Sequence, residues 1–127
     1  MGETDVFGLA KDCGAAKAKE GLELEQQVED ALKANGIPYK RGQTFVSPIP
    51  NMSGEIDFEV PRALIEVTVK KNDKLGQITK YFTPLFNPNG KPVILYAPKY
   101  GGAASRDIDR AGALIVRALA DLIALVK

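Results

Sequence analysis

The sequence predicts an α/β domain in which helices flank a central mixed β-sheet. Three observations predict it: a helical period in the first third, three strand-like segments in the middle, and a helix–strand–helix alternation afterwards. A chain of 127 residues is of the size of a single domain. We therefore predict one compact domain with an αβββαβ core.

The first thirteen residues show no regular hydrophobic period and are punctuated by Gly2 and Gly8. We predict a flexible leader or linker remnant over residues 1–13 and the domain itself over residues 14–127. A remnant of this kind is typical of a module cut from a larger parent chain.

A helix is predicted over residues 15–35, with a C-terminal stop at Gly36 and no continuation through Pro38. Its apolar positions recur at helical spacing, as one buried face requires. This stripe consists of Leu24, Val28, Ala31 and Leu32.

Three strands follow the helix. The first is predicted over residues 39–46, and the proline-containing segment 47–54 is predicted to be a loop, because proline cannot donate to a strand ladder. Residues 55–60 and 63–70 then form an antiparallel hairpin that turns at Pro61 and Arg62.

After the hairpin, residues 71–73 read as a turn, and Asn72 or Asp73 is expected to cap a helix over residues 74–82. The core stripe of this helix is predicted to be Leu75, Ile78, Phe82 and Leu85. The remaining elements are a turn over 87–90, a strand buried on both faces over 92–97, a helix over 103–110, a strand over 112–116 and a helix over 118–126. A single helix from residue 103 to the end is the alternative.

The composition excludes several classes of function. Histidine is absent, which excludes Ser-His-Asp hydrolases, Cys-His proteases and most zinc or iron sites. Cys13 is the only cysteine, so no internal disulfide forms. A metal would have to be a hard cation held by oxygen, such as Mg²⁺ or Mn²⁺. No apolar run is long enough for a membrane span, and the N-terminus lacks a signal-peptide pattern.

Charge is unevenly distributed along the chain. Residues 1–61 carry 6 basic and 11 acidic side chains, a net of −5, whereas residues 62–110 carry 9 basic and 4 acidic, a net of +5. A basic surface beside an acidic, metal-capable site suits a polyanionic substrate. A mixed solvated surface would give the same counts.

The hairpin carries the candidate catalytic residues. Asp57 is expected to lie opposite Glu66, and strand alternation puts Thr68 and Lys70 on the face of Glu66. Such charges are costly to bury unless they are paired or bind a metal. Each residue alone is compatible with an exposed surface position, but their combination favours a site.

That combination matches the needs of phosphodiester hydrolysis, which are a metal, an activated water and cationic stabilisation. Asp57 and Glu66 would hold the metal, Lys70 would orient the water or neutralise the phosphate, and Glu25 or Glu29 of the first helix would add a carboxylate. We predict substrate contacts at Gln77, Lys80, Lys71, Lys74 and Tyr81.

Residues 19–96 resemble the PD-(D/E)xK, or restriction-endonuclease-like, nuclease superfamily. The likeness is carried by Gly54-Glu55-Ile56-Asp57, by Ile65-Glu66-Val67-Thr68, by Gln77 with Tyr81, and by Gly21 followed by Glu25. It implies a Mg²⁺-dependent endonuclease with metal ligands Asp57, Glu66 and Glu25.

The sequence departs from that family pattern at Thr68, where a lysine is expected. Either Lys70 supplies the ammonium from a shifted position, or the element reads Thr68-Val69-Lys70 with a hydroxyl in place of a carboxylate. A third possibility is a decayed site that only binds.

The C-terminal part, with residues 91–98, 107–110 and Arg117, resembles nuclease toxin domains of contact-dependent growth inhibition and related polymorphic toxins. This resemblance implies a toxin acting in the cytoplasm after delivery in a larger secreted protein, on RNA (tRNA ahead of DNA), with a cognate immunity protein bound to the basic strip at residues 62–110. A DNA endonuclease of the toxin, junction-resolvase or repair type is the alternative. A non-catalytic nucleic-acid or protein-binding module is the second alternative.

Overall fold

The computed structural model describes the backbone of residues 4–50 and 52–127, and the side chains from residue 18 onward with the same gap at position 51. Over these residues the chain forms, in order, α1 (Thr4–Ala34), β1 (Lys40–Phe45), β2 (Gly54–Val60), β3 (Ala63–Val67), α2 (Leu75–Lys80), β4 (Val93–Tyr96), α3 (Gly102–Arg110), β5 (Leu114–Val116) and α4 (Leu119–Val126).

The five strands lie in one sheet in the order β1-β2-β3-β4-β5. The pairs β1–β2 and β2–β3 are antiparallel, whereas β3–β4 and β4–β5 are parallel. Parallel neighbours need a crossover connection, and here α2 and α3 supply it. The predicted α/β domain with a mixed sheet between helices is confirmed.

Both faces of the sheet are covered by apolar side chains. On one face α1 and α4 pack through Val28, Leu32, Leu122 and Val126 against alternate residues of the central strands. On the other face the residues around α2 and α3 pack through Ile78, Tyr81, Phe86 and Ile108. Because β4 is covered on both faces, all four of its residues are buried, as its continuous apolar run predicts.

The first helix is longer than its pattern predicts. It begins at Thr4 and not near residue 15, so most of the segment expected to be a leader is helical. Residues 1–3 lie outside the described residues, and a linker remnant stays a prediction. Val28 and Leu32 of the predicted stripe are fully buried.

The second helix is shorter than predicted, and its core stripe was wrong. It ends at Lys80, and the chain continues through turns in which the Phe82 N–H donates to the Thr79 carbonyl. Residues after Lys80 therefore do not continue the buried face of the helix. Of the predicted stripe Ile78 alone is buried, whereas Leu75, Phe82 and Leu85 are exposed. Tyr81 and Phe86 fill the core in their place.

The C-terminal part forms a helix, a strand and a helix, and the alternative of one long helix from residue 103 is wrong. Gly112 has φ +98°, a left-handed conformation that interrupts the helix between α3 and β5. Across the part of the chain that the structure describes, no helix is long and apolar enough to cross a membrane.

Candidate active site

Asp57 lies where β2 and β3 separate. The two strands pair from Phe58 opposite Ile65 to the turn of the hairpin. Beyond that point the Val67 N–H donates to Asp57 Oδ2 at 2.8 Å, so a carboxylate takes the place of a ladder carbonyl. The alternation of side chains between the two faces is also broken here. Ile56 and Phe58 are two residues apart and would share one face of a regular strand, but Ile56 packs on the α2 face of the sheet and Phe58 on the α1 face.

Glu66 is buried in β3, 3% exposed, and both of its carboxylate oxygens are engaged. Oε1 accepts a 2.6 Å hydrogen bond from the Tyr81 hydroxyl. Oε2 accepts a 2.9 Å hydrogen bond from Lys74 Nζ, which is also a salt bridge. The charge of Glu66 is thus met by one ammonium and one hydroxyl.

The surroundings of Asp57, including the charge of Glu66, disfavour its ionised form. Burial raises the pKa of Asp57 to about 8, and the negative charge of Glu66 and a hydrogen bond with that carboxylate act in the same direction. The Val67 N–H opposes the shift in pKa without cancelling it. Asp57 therefore keeps its proton to a higher pH than an exposed aspartate does.

Tyr81 is buried beneath the pair, away from solvent. Its hydroxyl accepts a 3.3 Å hydrogen bond from the Asp57 N–H and donates to Glu66. Burial, followed by the charges of Glu66 and Asp57, raises the pKa of Tyr81 far above its usual range. Tyr81, predicted as a substrate contact, thus lies as a neutral donor behind Glu66.

The ammonium beside Glu66 belongs to Lys74, not to Lys70. The prediction that placed Lys70 on the strand face of Glu66 was wrong, because β3 ends at Val67 and alternation ends with it. Lys70 is exposed, and its N–H donates to the hydroxyl of the buried Thr68 at 3.1 Å.

Lys74 reaches Glu66 because the chain reverses after β3. Asp73 has φ +66°, a left-handed conformation that aspartate tolerates better than most residues, and α2 begins directly after Lys74. The sidechain of Lys74 itself makes no capping hydrogen bond among the described residues, and neither Asn72 nor Asp73 occupies the cap position. The turn predicted at residues 71–73 is the sequence feature that indicates this reversal of the chain after β3.

Gln77 and Lys80 hold the chain that leads into Asp57. Gln77 Nε2 donates to the Glu55 carbonyl at 3.1 Å, and Lys80 Nζ donates to the Ser53 carbonyl at 2.9 Å. Both were predicted as substrate contacts, and in the structure both position the start of β2. Lys80 remains partly accessible beside this segment.

Glu25 and Glu29 share one cation, Arg41 of β1, at 3.5 Å and 3.1 Å. Burial raises the pKa of Glu25, Arg41 lowers it, and the charges of Glu55 and Glu66 raise it further. Glu29 instead accepts a 2.7 Å hydrogen bond from a tyrosine hydroxyl, which lowers its pKa. Both first-helix carboxylates are thus paired with Arg41, a residue that the sequence pattern did not identify.

The donor set partly fits a divalent metal. Among the side chains described, no group of three or more histidine, cysteine, aspartate or glutamate residues is gathered as a metal site, and Glu25 is held by Arg41. Mg²⁺ nevertheless commonly binds one or two carboxylates and keeps several waters. Asp57 and Glu66 fit such a two-carboxylate site.

The chain matches no family model, no curated protein and no solved structure. Its function is therefore inferred from the residues of this site and from their surroundings.

A basic cavity of about 590 Å³ lies beside the loops that follow β3 and β4. In open α/β sheets, ligands bind outside the carboxyl ends of the strands, and this cavity occupies such a place. The two loops are joined where the Gly101 N–H donates to the Lys71 carbonyl at 2.7 Å. The cavity is lined by Glu20, Val69, Lys70, Lys71, Asn72, Asp73 and Lys99.

Proposed function

We propose that this chain is a metal-dependent endonuclease that hydrolyses phosphodiester bonds of nucleic acid. The observation that carries the proposal is the half-buried Asp57 beside the buried Glu66, with the Lys74 ammonium bonded to Glu66 at 2.9 Å. Two carboxylates and an ammonium at the end of a strand supply the groups that phosphodiester hydrolysis requires.

Each residue has a definite part in this proposal. Asp57 and Glu66 present oxygen ligands, and the 2.6 Å hydrogen bond from Tyr81 fixes the orientation of Glu66. A bound Mg²⁺ or Mn²⁺ would polarise the phosphate and lower the pKa of a water. Lys74 supplies positive charge where negative charge develops on the phosphate.

The proposed substrate is RNA, in particular tRNA, which we rank slightly ahead of DNA. The proposed setting is a toxin domain that acts in the cytoplasm and is neutralised by an immunity protein. Support for a polyanionic substrate comes from Lys70 and Lys71 in the lining of the cavity, which outnumber Asp73 there, while Lys99 and Glu20 pair with each other at 3.3 Å. A toxin DNase or a junction-resolvase-like enzyme would use the same carboxylates. Cleavage of tRNA, plasmid and branched DNA side by side separates these substrates.

The proposal is tested by incubating the purified protein with total tRNA and with plasmid, in Mg²⁺, Mn²⁺ or EDTA. Cleavage should require the metal and should be lost in Asp57→Asn and Glu66→Gln. Glu59→Gln is the matched control, because Glu59 lies in β2 but pairs with Lys91. Full activity in the Asp57 and Glu66 variants, or in EDTA, would refute the assignment.

A second candidate is a nucleic-acid-binding module without cleavage. It is favoured by the salt bridge between Lys74 and Glu66 and by the raised pKa of Asp57, both of which reduce the negative charge of the pair without a metal. This candidate predicts no heat of metal binding in calorimetry and nucleic-acid binding that EDTA does not change.

A further inference from the structure

The ammonium of Lys74 occupies the accessible side of the Glu66 carboxylate. Glu66 Oε1 points into the core toward Tyr81, and Oε2 meets Lys74, whose side chain is 19% exposed against 4% for Glu66. Of the two side chains bonded to Glu66, Lys74 is therefore the one that solvent reaches.

Backbone hydrogen bonds of Lys74 fix the position from which its side chain reaches Glu66. The Lys74 N–H donates to the Tyr100 hydroxyl at 3.1 Å, and its carbonyl accepts from the Ile78 N–H at 2.9 Å. The preceding residue, Asp73, has the left-handed φ of +66°. Backbone strain of this kind persists where surrounding contacts enforce it, and it often accompanies functional positions.

We propose that the salt bridge of Lys74 blocks the Glu66 carboxylate in the metal-free protein, and that the divalent metal displaces the Lys74 ammonium when it binds. This inference rests on the proposed metal-dependent function. A divalent ion bound to Oε2 of Glu66 would lie within a few ångström of the ammonium, and like charges so close repel strongly in a poorly solvated site. Metal entry is therefore expected to displace Lys74.

The displaced Lys74 ammonium can move toward the neighbouring basic cavity. Lys74 directly follows residues 69–73, which line the basic cavity, and its flexible stem allows the ammonium to turn toward an anion there. A phosphate in the cavity would draw Lys74 from Glu66 and so favour metal binding. By thermodynamic linkage, the metal would favour phosphate to the same degree.

The exchange is tested by titrating Mn²⁺ into the wild-type protein and Lys74→Gln, followed by calorimetry. Lys74→Gln should bind Mn²⁺ about tenfold more tightly, since it removes the competing cation. Lys33→Gln removes the same charge from an exposed position in the last turn of α1 and should leave the affinity within about twofold of wild type.

Equal Mn²⁺ affinity in wild type and Lys74→Gln overturns the exchange and leaves the proposed nuclease standing. No Mn²⁺ binding by any of the proteins overturns both. A second measurement needs no variant: the side-chain NMR signals of Lys74 in the wild type should shift on addition of Mg²⁺. Unchanged Lys74 signals at saturating Mg²⁺ would also overturn the exchange.

Discussion

The hydroxyl of Tyr81 donates a 2.6 Å hydrogen bond to the Glu66 carboxylate, and it accepts the N–H of Asp57 on its other side. One buried side chain thus connects both acidic residues of the candidate site. Tyr81 comes from the turn that follows α2, so the position of that turn determines the orientation of Glu66.

Tyr81→Phe should lower the free energy of unfolding by about 1–3 kcal/mol, because it leaves a buried carboxylate with one hydrogen-bond donor fewer. The aromatic packing stays, so the change reports on the hydroxyl. Urea denaturation measures it. Tyr39→Phe, whose hydroxyl donates to the more accessible Glu29, is the matched control and should cost less. Equal losses in the two variants would contradict the special role of Tyr81.

Asp57→Asn should stabilise the protein at neutral and higher pH. The folded pKa of Asp57 is about 8, above its unfolded value, so the wild type loses stability as pH rises from about 4 to about 8. The variant lacks this loss and should gain about 2–5 kcal/mol near pH 8. Its amide oxygen can still accept the Val67 N–H.

Urea midpoints of the wild type and Asp57→Asn at pH 5, 7 and 8.5 measure that gain. The difference between the two proteins should be small at pH 5 and should grow with pH. A difference that does not change with pH would show that Asp57 ionises normally. Because the same variant should lose nuclease activity, stability and activity are expected to move in opposite directions.

Gly54→Ala should destabilise the protein by about 1–3 kcal/mol through overpacking. A Cβ at this position would lie 3.1 Å from the Phe86 ring, which is buried and stacked on Phe45. Thermal denaturation measures the loss. Gly76→Ala in α2 is the control, because its Cβ meets nothing within 4 Å and alanine favours helix. Similar melting temperatures for both variants would contradict this packing.

Lys74→Gln should lower the cleavage rate about a hundredfold, whereas Lys70→Gln should weaken substrate binding and change the rate constant less. The reason is position: Lys74 lies beside Glu66, so the ammonium that the metal displaces stays close to a phosphate bound at the carboxylates, whereas Lys70 lines the cavity. Single-turnover rates at saturating substrate, together with binding isotherms, separate the two effects. A larger loss of rate in Lys70→Gln would restore Lys70 as the lysine of the site.

Periodicity predicted those parts of the fold in which a regular element continues. The buried face of α1 at Val28 and Leu32 follows from helical spacing, and the hairpin of β2 and β3 follows from two strand-like segments joined by a short turn. Lys74 could not be predicted in its place, because that depends on where β3 ends and on one left-handed residue.

The same limit explains the errors at α2. Leu75 and Phe82 satisfy a helical stripe in sequence, but the helix is too short to bury both, and tertiary packing selects Tyr81 and Phe86. Arg41 gave no signal, since its importance comes from a neighbouring helix.

The hydrogen bond from Val67 to Asp57 makes one amide proton a reporter of the acidic pair. Most strand amides are protected from solvent exchange by a carbonyl whose charge is constant. The partner of Val67 instead gains or loses a proton, so the exchange rate and chemical shift of this amide should follow the charge of the site. A single backbone resonance would therefore report when the charge on Asp57 changes.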